Sequence, residues 1–571
     1  MLKKVTKLIP WLLSFGVILV VISRLIIPTK INQGMWYIFD DVHTVRTNEM
    51  VNELKNGQFP VRYLGNLAFK RGYLLFNFYS PLVYYLTSAL VFIGKSPLNA
   101  VKNVFQLSYL IAGSGMFLLL KHYFPQKWFL PILGSILLIS SPYFNYNIYT
   151  RGALAEVWGF ALIPWLFLAY ELIKKHKSNL AIVLFSVIAS LMFYVHAISA
   201  FIAIPLLLVK FLIEWQITKQ ISKEIFKRYF LSFIVGVTLS ASYLLPVIFE
   251  KNQVIYSNVE FVVSGFKTGF INFNELIGLS KNADPKIIPI TLGKTLAIST
   301  LISIIIVFYR LVKKSQLKLK SELTTNLILI VITTFLLLKP SSFIWENNPL
   351  LQMTQFPYRF MILLTFLSIL FIIITLNLVK NNFLKIIFGL VILLSSFYGN
   401  KIFYQPSGYY FAANFEAADL CATTTWQAEY LPKWTTNCAT LNSPKQEVRV
   451  STGEIEVTNS RFNSNNLEVE IETNGKSGTL EVDRYFYPGW QAKTFEKNLT
   501  IRPAENLGII KIEVPENTEL ISLSFQDTLI RKIGNLLTLS SIISIIIIAL
   551  IEIIKYKKIY LSGLFTSKKA A

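Results

Sequence analysis

The chain has 571 residues, of which 53% are hydrophobic and only 15% are charged. A soluble protein has about 25% charged residues, and apolar runs recur here from end to end, so we predict one membrane domain rather than several soluble domains. The formal net charge of +23 is not interpreted as nucleic-acid binding. The Lys and Arg residues cluster in short loops between apolar runs, as in cytoplasmic loops of membrane proteins, and no zinc-finger or RNA-binding signature accompanies them.

The first predicted element is an apolar stretch over residues 9–27, preceded by Lys3, Lys4 and Lys7. No small-x-small cleavage site follows it, so we predict an uncleaved first helix with a cytoplasmic N-terminus. Further runs are long enough to cross a bilayer. They lie at residues 101–120, 128–148, 153–173, 180–195, 198–214, 229–249, 294–312, 322–338, 358–379, 383–399 and 535–554.

Every second loop between these runs is basic, which predicts a multi-pass protein of the plasma or inner membrane with both termini in the cytoplasm. The first outer loop is then residues 28–100, and short outer loops lie near 149–152 and 196–197. Residues 74–94 are apolar enough to cross, but a crossing there would invert every later loop. Because this stretch is aromatic and contains Pro81, we predict an interfacial or re-entrant element on the outer face.

Residues 400–533 differ from the membrane domain at 1–399 in their alternating polar and apolar residues, for example at 454–457 and 467–471. This period of two predicts a small extracytoplasmic β-sandwich, followed by a final helix and a cytoplasmic tail at 534–571. Both cysteines, Cys421 and Cys438, lie in this segment. A disulfide between them is allowed outside the cytoplasm, and two unpaired thiols are the alternative.

The first outer loop carries a dense group of polar residues, Asp40, Asp41, His43, Arg46 and Glu49. Their spacing predicts that Asp40, His43, Arg46 and Glu49 share one face of a surface helix. Two carboxylates and an imidazole can hold a divalent cation or act as a general base. A guanidinium can clamp a phosphate through two hydrogen bonds. A solvated helix face with local ion pairs is the alternative.

Four more residues are candidates because charged or polar groups at membrane depth need a reason. Arg151 and Glu156 either pair with each other or face the first loop across a cavity. His196 is either a hydrogen-bonded core histidine or a ligand. Arg359 either binds a lipid phosphate or anchors a helix at the interface. The chain has no phosphate-binding GxxxxGK[ST] loop, no His-Glu-x-x-His and no Gly-x-Ser-x-Gly, and acids within the spans are too few for an ion-coupled relay.

The sequence blocks of this chain resemble a known family. The stretch from Asp40 to Leu86, with Asp-Asp-x-His-x-x-Arg at its start, resembles the bacterial membrane proteins labelled "6-pyruvoyl-tetrahydropterin synthase-related". Shorter blocks at 151–156, 355–360 and 429–432 are similar to further parts of that family, and residues 484–490 resemble its outer β-domain and that of related large membrane glycosyltransferases. Pterin synthase chemistry is not expected, because it uses a zinc held by three histidines. Two of the four histidines here, His122 and His176, fall in predicted cytoplasmic loops.

The predicted architecture also resembles the GT-C superfamily of membrane glycosyltransferases. This resemblance implies transfer of a sugar from a polyprenyl-phosphate donor, in contact with membrane lipid, to an envelope acceptor (a glycan, lipid or protein) at the extracytoplasmic face. It implies that Asp40 and Asp41 bind the acceptor or a divalent cation (Mg or Mn), or act as base, and that Glu156 is a second outer acid. On chemical grounds we add His43 as a catalytic candidate. The candidates for binding the lipid phosphate or the sugar are Arg46, Arg62, Tyr79, Arg151, His196 and Arg359.

Two other functions fit the sequence. A non-catalytic protein could bind or transport a lipid-linked glycan, with the acids paired to Arg46 or Arg62. An envelope assembly or sensor protein could use the β-domain for contacts. A cavity that joins Asp40 to a lipid-open groove bears on the choice between the glycosyltransferase and the non-catalytic protein. An exposed aromatic patch around residues 485–490, without a cavity at Asp40, would favour the assembly protein.

Overall fold

The computed structural model describes residues 2–30, 34–175, 178–219, 222–258, 264–279, 288–313, 319–410, 421–436 and 447–567. Within these residues, ten helices are long and apolar enough to cross a membrane, and a helix pair bent by 74° makes an eleventh candidate span. The helices of this part of the chain are α1 (Leu2–Leu25), α2 (His43–Lys55), α3 (Leu75–Phe78), α4 (Leu82–Phe92), α5 (Pro97–Tyr123), α6 (Phe129–Ile139), α7 (Pro142–Tyr149), α8 (Leu154–Lys175), α9 (Asn179–Thr218), α10 (Lys223–Leu239), α11 (Ala241–Glu250), α12 (Phe273–Leu276), α13 (Lys294–Val312), α14 (Lys320–Leu337), α15 (Ser342–Glu346), α16 (Pro349–Gln352), α17 (Met361–Leu376), α18 (Asn382–Gly399) and α19 (Leu529–Ser567).

The 40-residue helix α9 contains two membrane crossings. Its residue His196 has non-helical backbone angles (φ −162°, ψ 94°). Both ends of α9 lie on the same side, because Glu214 near its C-terminus pairs at 2.9 Å with Lys174, which precedes the helix. The two arms therefore run antiparallel and meet at His196. With both arms counted, the described residues contain about twelve crossings, in agreement with the predicted spans.

The helix ends farthest from the β-domain are joined by a buried group of charges. Lys210 pairs with Glu214 and, at 2.6 Å, with Glu322, and Lys174 pairs with Glu171 at 2.8 Å and with Glu322 at 2.9 Å. These contacts connect α8, the second arm of α9 and α14. Between this end and the β-domain, α17 is apolar all round and every one of its residues is buried, so it forms the centre of the membrane domain.

Residues 74–94 form two short helices rather than a span. The longer, α4, has 11 residues and is about 16 Å long, half of the roughly 30 Å hydrocarbon core. It packs against α2 and α5, and Thr87 contacts Thr47 of α2 through a 2.9 Å hydrogen bond. This arrangement agrees with the predicted interfacial element.

The β-domain consists of two antiparallel sheets. Its strands are β3 (Val448–Thr452), β4 (Glu456–Phe462), β5 (Asn466–Glu472), β6 (Gly478–Tyr485), β7 (Trp490–Lys493), β8 (Asn498–Leu499), β9 (Ile501–Pro503), β10 (Ile509–Val514) and β11 (Leu520–Phe525). The orders are β3-β6-β10-β9 and β4-β5-β11-β7-β8. Alternate residues of β5 are buried and exposed, as the period of two predicted. Earlier in the chain, β1 (Met35–Trp36) pairs with β2 (Tyr409–Tyr410). The final helix begins at Leu529 rather than at 534.

The β-domain is fixed to the first loop by buried polar contacts. The guanidinium of Arg71 binds both carboxylate oxygens of Asp483, at 2.7 and 2.9 Å. The ring of Tyr63 stacks on Phe525 with centroids 4.9 Å apart. Tyr485 and Trp490 are 1% and 5% exposed, so these two rings are not part of an exposed aromatic patch of the kind that would favour an assembly protein.

Candidate functional site

A cavity of about 630 Å³ lies on the β-domain side, where the loops predicted to be outer meet. Its lining includes every candidate for catalysis or substrate binding except Arg62; these are Asp40, Asp41, His43, Arg46, Tyr79, Arg151, Glu156, His196 and Arg359. Residues that are far apart in sequence therefore reach one cavity. The loops that carry them lie on the same side of the membrane domain, as predicted.

The two first-loop acids lie before helix α2, not on it. Helix α2 begins at His43, so the prediction is wrong for Asp40, while His43, Arg46 and Glu49 do lie on one helix. The backbone here bonds to another segment: the Asp40 N–H donates to the carbonyl oxygen of Arg151 at 2.9 Å. Asp40 is half-buried and Asp41 more exposed. Partial burial and the charge of Asp40 raise the pKa of Asp41.

His43 uses both ring nitrogens in contacts with the protein. Its Nε2 lies 2.6 Å from the carbonyl oxygen of Gly152, and because a carbonyl only accepts, Nε2 carries the proton. Its Nδ1 then accepts from the hydroxyl of Tyr84 at 2.9 Å. Burial lowers the pKa of His43 to about 4, so the ring is neutral at neutral pH. In this arrangement His43 positions Gly152 and has no free nitrogen to accept a substrate proton.

Arg46 joins α2 to the segment 421–436. Its guanidinium donates to the side-chain and carbonyl oxygens of Thr424, at 3.1 Å to Oγ1, and to the hydroxyl of Tyr84 at 3.0 Å. It also lies over the ring of Tyr79, 4.4 Å from the centroid. Since a guanidinium has five N–H groups, these three bonds leave donors for a ligand in the cavity.

Glu156 lies between two arginines. It binds Arg151 at 2.6 Å and is 3.4 Å from the Nε of Arg359, and it accepts from Tyr143 at 2.6 Å. Both arrangements expected for Arg151 and Glu156 therefore occur, since the residues pair and also line the cavity. The two guanidinium groups offer N–H donors that suit an anionic ligand, and the charge of Asp40 also acts on Arg151.

His196 occupies the turn between the two arms of α9. Its Nδ1 accepts from the backbone N–H of Ser199 at 3.3 Å and contacts the Ser199 hydroxyl at 2.7 Å, which places the proton of the neutral ring on Nε2. The broken helix is supported by Ser80, whose hydroxyl accepts from the Ala197 N–H at 3.1 Å and donates to the Phe193 carbonyl oxygen at 3.1 Å. His196 is thus hydrogen-bonded as a core residue and also lines the cavity.

Arg62 lies outside the cavity lining. It pairs with Asp527 at 3.2 Å and donates to the Asn535 side chain and the Ser242 carbonyl oxygen, each at 3.0 Å. These contacts join the first loop to the start of α19 and to α11. The structure therefore gives Arg62 a place in the contact between loop and helix, not in the cavity.

The cavity wall changes from charged to apolar. Phe78, Val247, Phe201 and Met353 belong to its lining, and Phe201 and Met353 are 41% and 48% exposed. Since Phe201 belongs to the second membrane arm of α9, the apolar part of the lining extends onto a membrane helix.

Several lining residues were not recognised from the sequence. Tyr84 connects His43 to Arg46 beneath the lining, and Thr424, Trp426 and Glu429 enter the lining from the β-domain side. The block 429–432 pointed to Glu429 only as part of a resemblance. Thr424 carried no signal, because its partner Arg46 is 378 residues away.

The candidate metal ligands lie at two places in the fold. Among the described residues, one group of three acids could hold a metal, Glu171, Glu214 and Glu322, and these already pair with lysines at the opposite end. A cation at Asp40 and Asp41 would therefore have two carboxylates from the protein. Cys421 is buried and disulfide-bonded, while Cys438, its predicted partner, lies outside the described residues.

Comparisons with known proteins gave two kinds of match. No curated protein matches the chain. Among solved structures, a mutant of the arabinofuranosyltransferase AftD from Mycobacteria has a TM-score of 0.47 and 13% identity over 70% of this chain and 29% of that chain. The apo oligosaccharyltransferase of Archaeoglobus fulgidus has a TM-score of 0.45 and 13% identity over 70% of this chain and 56% of that chain. This chain spans only part of the length of each.

The family comparison covers more than half of the chain. A model described as "6-pyruvoyl-tetrahydropterin synthase related domain; membrane protein" matches residues 76–402. The match includes α4, the helices from α5 to α18 and the cavity residues Arg151, Glu156, His196 and Arg359. The chain therefore belongs to the 6-pyruvoyl-tetrahydropterin synthase related family of membrane proteins.

Proposed function

We propose that this protein is a membrane glycosyltransferase that moves a sugar from a polyprenyl-phosphate donor to an envelope acceptor, at the extracytoplasmic face. The observation that carries the proposal is one cavity whose lining combines Asp40 and Asp41, three arginines and an apolar wall. A lipid-linked sugar needs these three environments together. The resemblance of the first loop to GT-C enzymes supports the same assignment.

The arginines of the lining suit the donor phosphate. Arg151 and Arg359 share one carboxylate, that of Glu156, and Arg46 retains donors beside them. Although burial alone would lower it, the charge of Glu156 raises the pKa of Arg151 well above its usual value, so the guanidinium stays charged. Phe201 and Met353 continue the cavity toward the bilayer, where a polyprenyl chain would lie.

The acids suit the acceptor. In the transfer step, an acceptor hydroxyl oxygen forms a bond to the anomeric carbon while the bond from that carbon to the phosphate oxygen breaks. The electron pair of the broken bond leaves with the polyprenyl phosphate, whose charge the arginines stabilise. The hydroxyl proton passes to Asp40 or Asp41, and the raised pKa of Asp41 favours its acceptance of a proton.

A divalent cation fits the acids only in part. Mg²⁺ is commonly held by one or two carboxylates with water and substrate phosphate oxygens, and Asp40 and Asp41 are two adjacent carboxylates on the lining. They would hold the ion, which would supply charge stabilisation at the phosphate. Activity that is lost with EDTA and restored by Mg²⁺ or Mn²⁺ would support the ion, and full activity in EDTA would exclude it.

The test is transfer of label from radiolabelled polyprenyl-phosphate sugars by purified protein in detergent. We expect Asp40→Asn or Asp41→Asn, whichever removes the base, to lower transfer by a factor of about 100 or more, as loss of a general base typically does. The matched control Glu516→Gln changes an exposed acid of the β-domain and should keep full activity. Donor binding is measured on the same samples.

The outcomes separate the candidate functions. Transfer by the wild type that both cavity variants retain would exclude the assigned acids. Donor binding without transfer, equal in all four proteins, would favour a non-catalytic binder or transporter of lipid-linked glycan. Neither binding nor transfer would leave an envelope assembly protein.

A further inference from the structure

We propose that the mouth of the cavity holds a saccharide acceptor, with the indole of Trp426 as its platform and Glu429 as its polar partner. The proposal deepens the proposed function, on which its kinetic test rests. It assigns the acceptor to the class of glycans with neutral sugar rings, rather than to lipids.

Trp426 is the starting observation. Its side chain belongs to the cavity lining and yet is 82% exposed. Phe39, on the first loop, also lines the cavity and is 77% exposed. Two large aromatic rings from separate segments therefore remain open to a ligand at one cavity. An aromatic ring in such a position offers a large rigid contact surface.

The segment that presents Trp426 is held in place on both sides of it. Before it, the Ala68 N–H donates to the Ala422 carbonyl oxygen at 2.8 Å, and Arg46 binds Thr424. After it, the Tyr430 N–H donates to the Tyr73 hydroxyl at 2.9 Å. These bonds fix the position of the indole instead of leaving it on a free loop.

The backbone of this segment is also unusual. Ala422, Thr424 and Ala428 have φ of 52°, 67° and 52°, a left-handed conformation that residues with a side chain rarely adopt and that costs free energy. The surrounding bonds maintain it. Such strain around an exposed indole is expected where a defined orientation of the ring is needed for binding.

The polar groups near the indole select the class of ligand. Glu429, Asp40 and Asp41 line the same cavity, and one carboxylate oxygen of Glu429 accepts from the Gln427 N–H at 3.2 Å, which leaves its other oxygen to accept from a hydroxyl. A sugar ring has an apolar face for the indole and hydroxyl groups for carboxylates. An acyl chain would cover these acids without giving them hydrogen bonds, which is unfavourable.

The kinetic test compares wild type, Trp426→Ala and Phe495→Ala. Phe495 is fully exposed on the β-domain, outside the cavity lining, and serves as the matched control. With radiolabelled donor and solubilised envelope glycan as acceptor, we expect Trp426→Ala to raise the acceptor KM about tenfold. Release of label to water should remain unchanged. An unchanged acceptor KM would overturn the acceptor site while leaving the proposed function intact.

A binding test does not need transfer. Wild type, Trp426→Phe and Trp215→Phe are placed in nanodiscs with and without brominated phosphatidylcholine, and titrated with linear gluco- and manno-oligosaccharides. Tryptophan fluorescence is recorded, and the difference between wild type and Trp426→Phe gives the emission of Trp426. This emission should respond to an oligosaccharide and not to the brominated lipid. The matched control is Trp215, which is 52% exposed on a membrane arm of α9; its difference emission should be quenched by the lipid.

Two results would overturn the site. Quenching of the Trp426 signal by brominated lipid, without a response to sugar, would make the indole a membrane anchor. If the Trp426 signal responds to no oligosaccharide of the panel, the proposed recognition of a saccharide is overturned. If the wild type transfers no sugar but the Trp426 signal responds to an oligosaccharide, the glycan site stands and the proposed transferase function fails.

Discussion

The hydroxyl of Tyr84 connects His43 and Arg46 inside the cavity wall. Its ring is completely buried, so loss of the hydroxyl leaves a buried ring nitrogen of His43 and a buried N–H group of Arg46 without this partner. We expect Tyr84→Phe to lower the free energy of unfolding by about 1–3 kcal/mol, measured by denaturant unfolding in detergent. Tyr398→Phe, at a ring that is 81% exposed, should have no such effect. Equal stability of Tyr84→Phe and wild type would contradict this role.

Glu49 gives the first loop an unusual pH dependence. Burial raises the pKa of its carboxyl to about 7, above the value of about 4.5 expected in the unfolded chain. The folded protein therefore binds the extra proton between these values, and the contribution of Glu49 to stability is present below pH 4.5 and is lost as the pH rises through 7.

The substitution Glu49→Gln removes this titration. We expect its free energy of unfolding to match that of the wild type near pH 4.5 and to exceed it at pH 8, in denaturant titrations at a series of pH values. Glu516→Gln, at an exposed acid, should show no such divergence. A Glu49→Gln curve parallel to that of the wild type over this range would show that Glu49 does not titrate there.

At the scale of elements, the reversal of α9 depends on a side chain from the first loop. The hydroxyl of Ser80 satisfies backbone groups on both sides of His196. Because the Phe193 carbonyl group is buried and the Ala197 N–H is partly buried, Ser80→Ala should lower the thermal unfolding midpoint, at a cost of about 1–3 kcal/mol. Ser544→Ala, on the lipid-exposed face of α19, is the control. A midpoint equal to that of the control would mean that other groups support the turn.

The element boundaries show where sequence patterns were sufficient. The apolar run 294–312 coincides with α13, because a bilayer requires a continuous apolar helix of this length. The run 229–249 was predicted as one span, but α10 and α11 meet at 74°. Hydropathy reports the apolar length of a segment and carries no information on its direction.

At the scale of the whole molecule, the contact between the β-domain and the first loop contributes to stability. Removing the carboxylate of Asp483 takes from the buried guanidinium of Arg71 the two hydrogen bonds that it donates to this acid. We expect Asp483→Ala to cost about 3–5 kcal/mol and to increase cleavage between the two domains in limited proteolysis. The exposed pair Arg502–Glu513, 3.5 Å long, is the comparison, and Glu513→Ala should cost about 0–1 kcal/mol. Equal cleavage of both variants would argue against the attachment.

The sequence by itself determined the membrane class, the spans, the short interfacial helices and the β-rich segment. These follow from local patterns, because a bilayer demands long apolar runs and a half-buried sheet demands alternation. It also selected the charged residues of the outer loops as candidates, since charge near a bilayer is costly.

Only the tertiary structure decided how those residues are arranged. His43 bonds to Gly152 across 109 residues, and Arg46 to Thr424 across 378, so no local spacing could predict either contact. The same holds for the exclusion of Arg62 from the cavity and for the exposure of Trp426 at its mouth. A single sequence records which side chains are present, whereas their pairing depends on packing between segments that are distant in the chain.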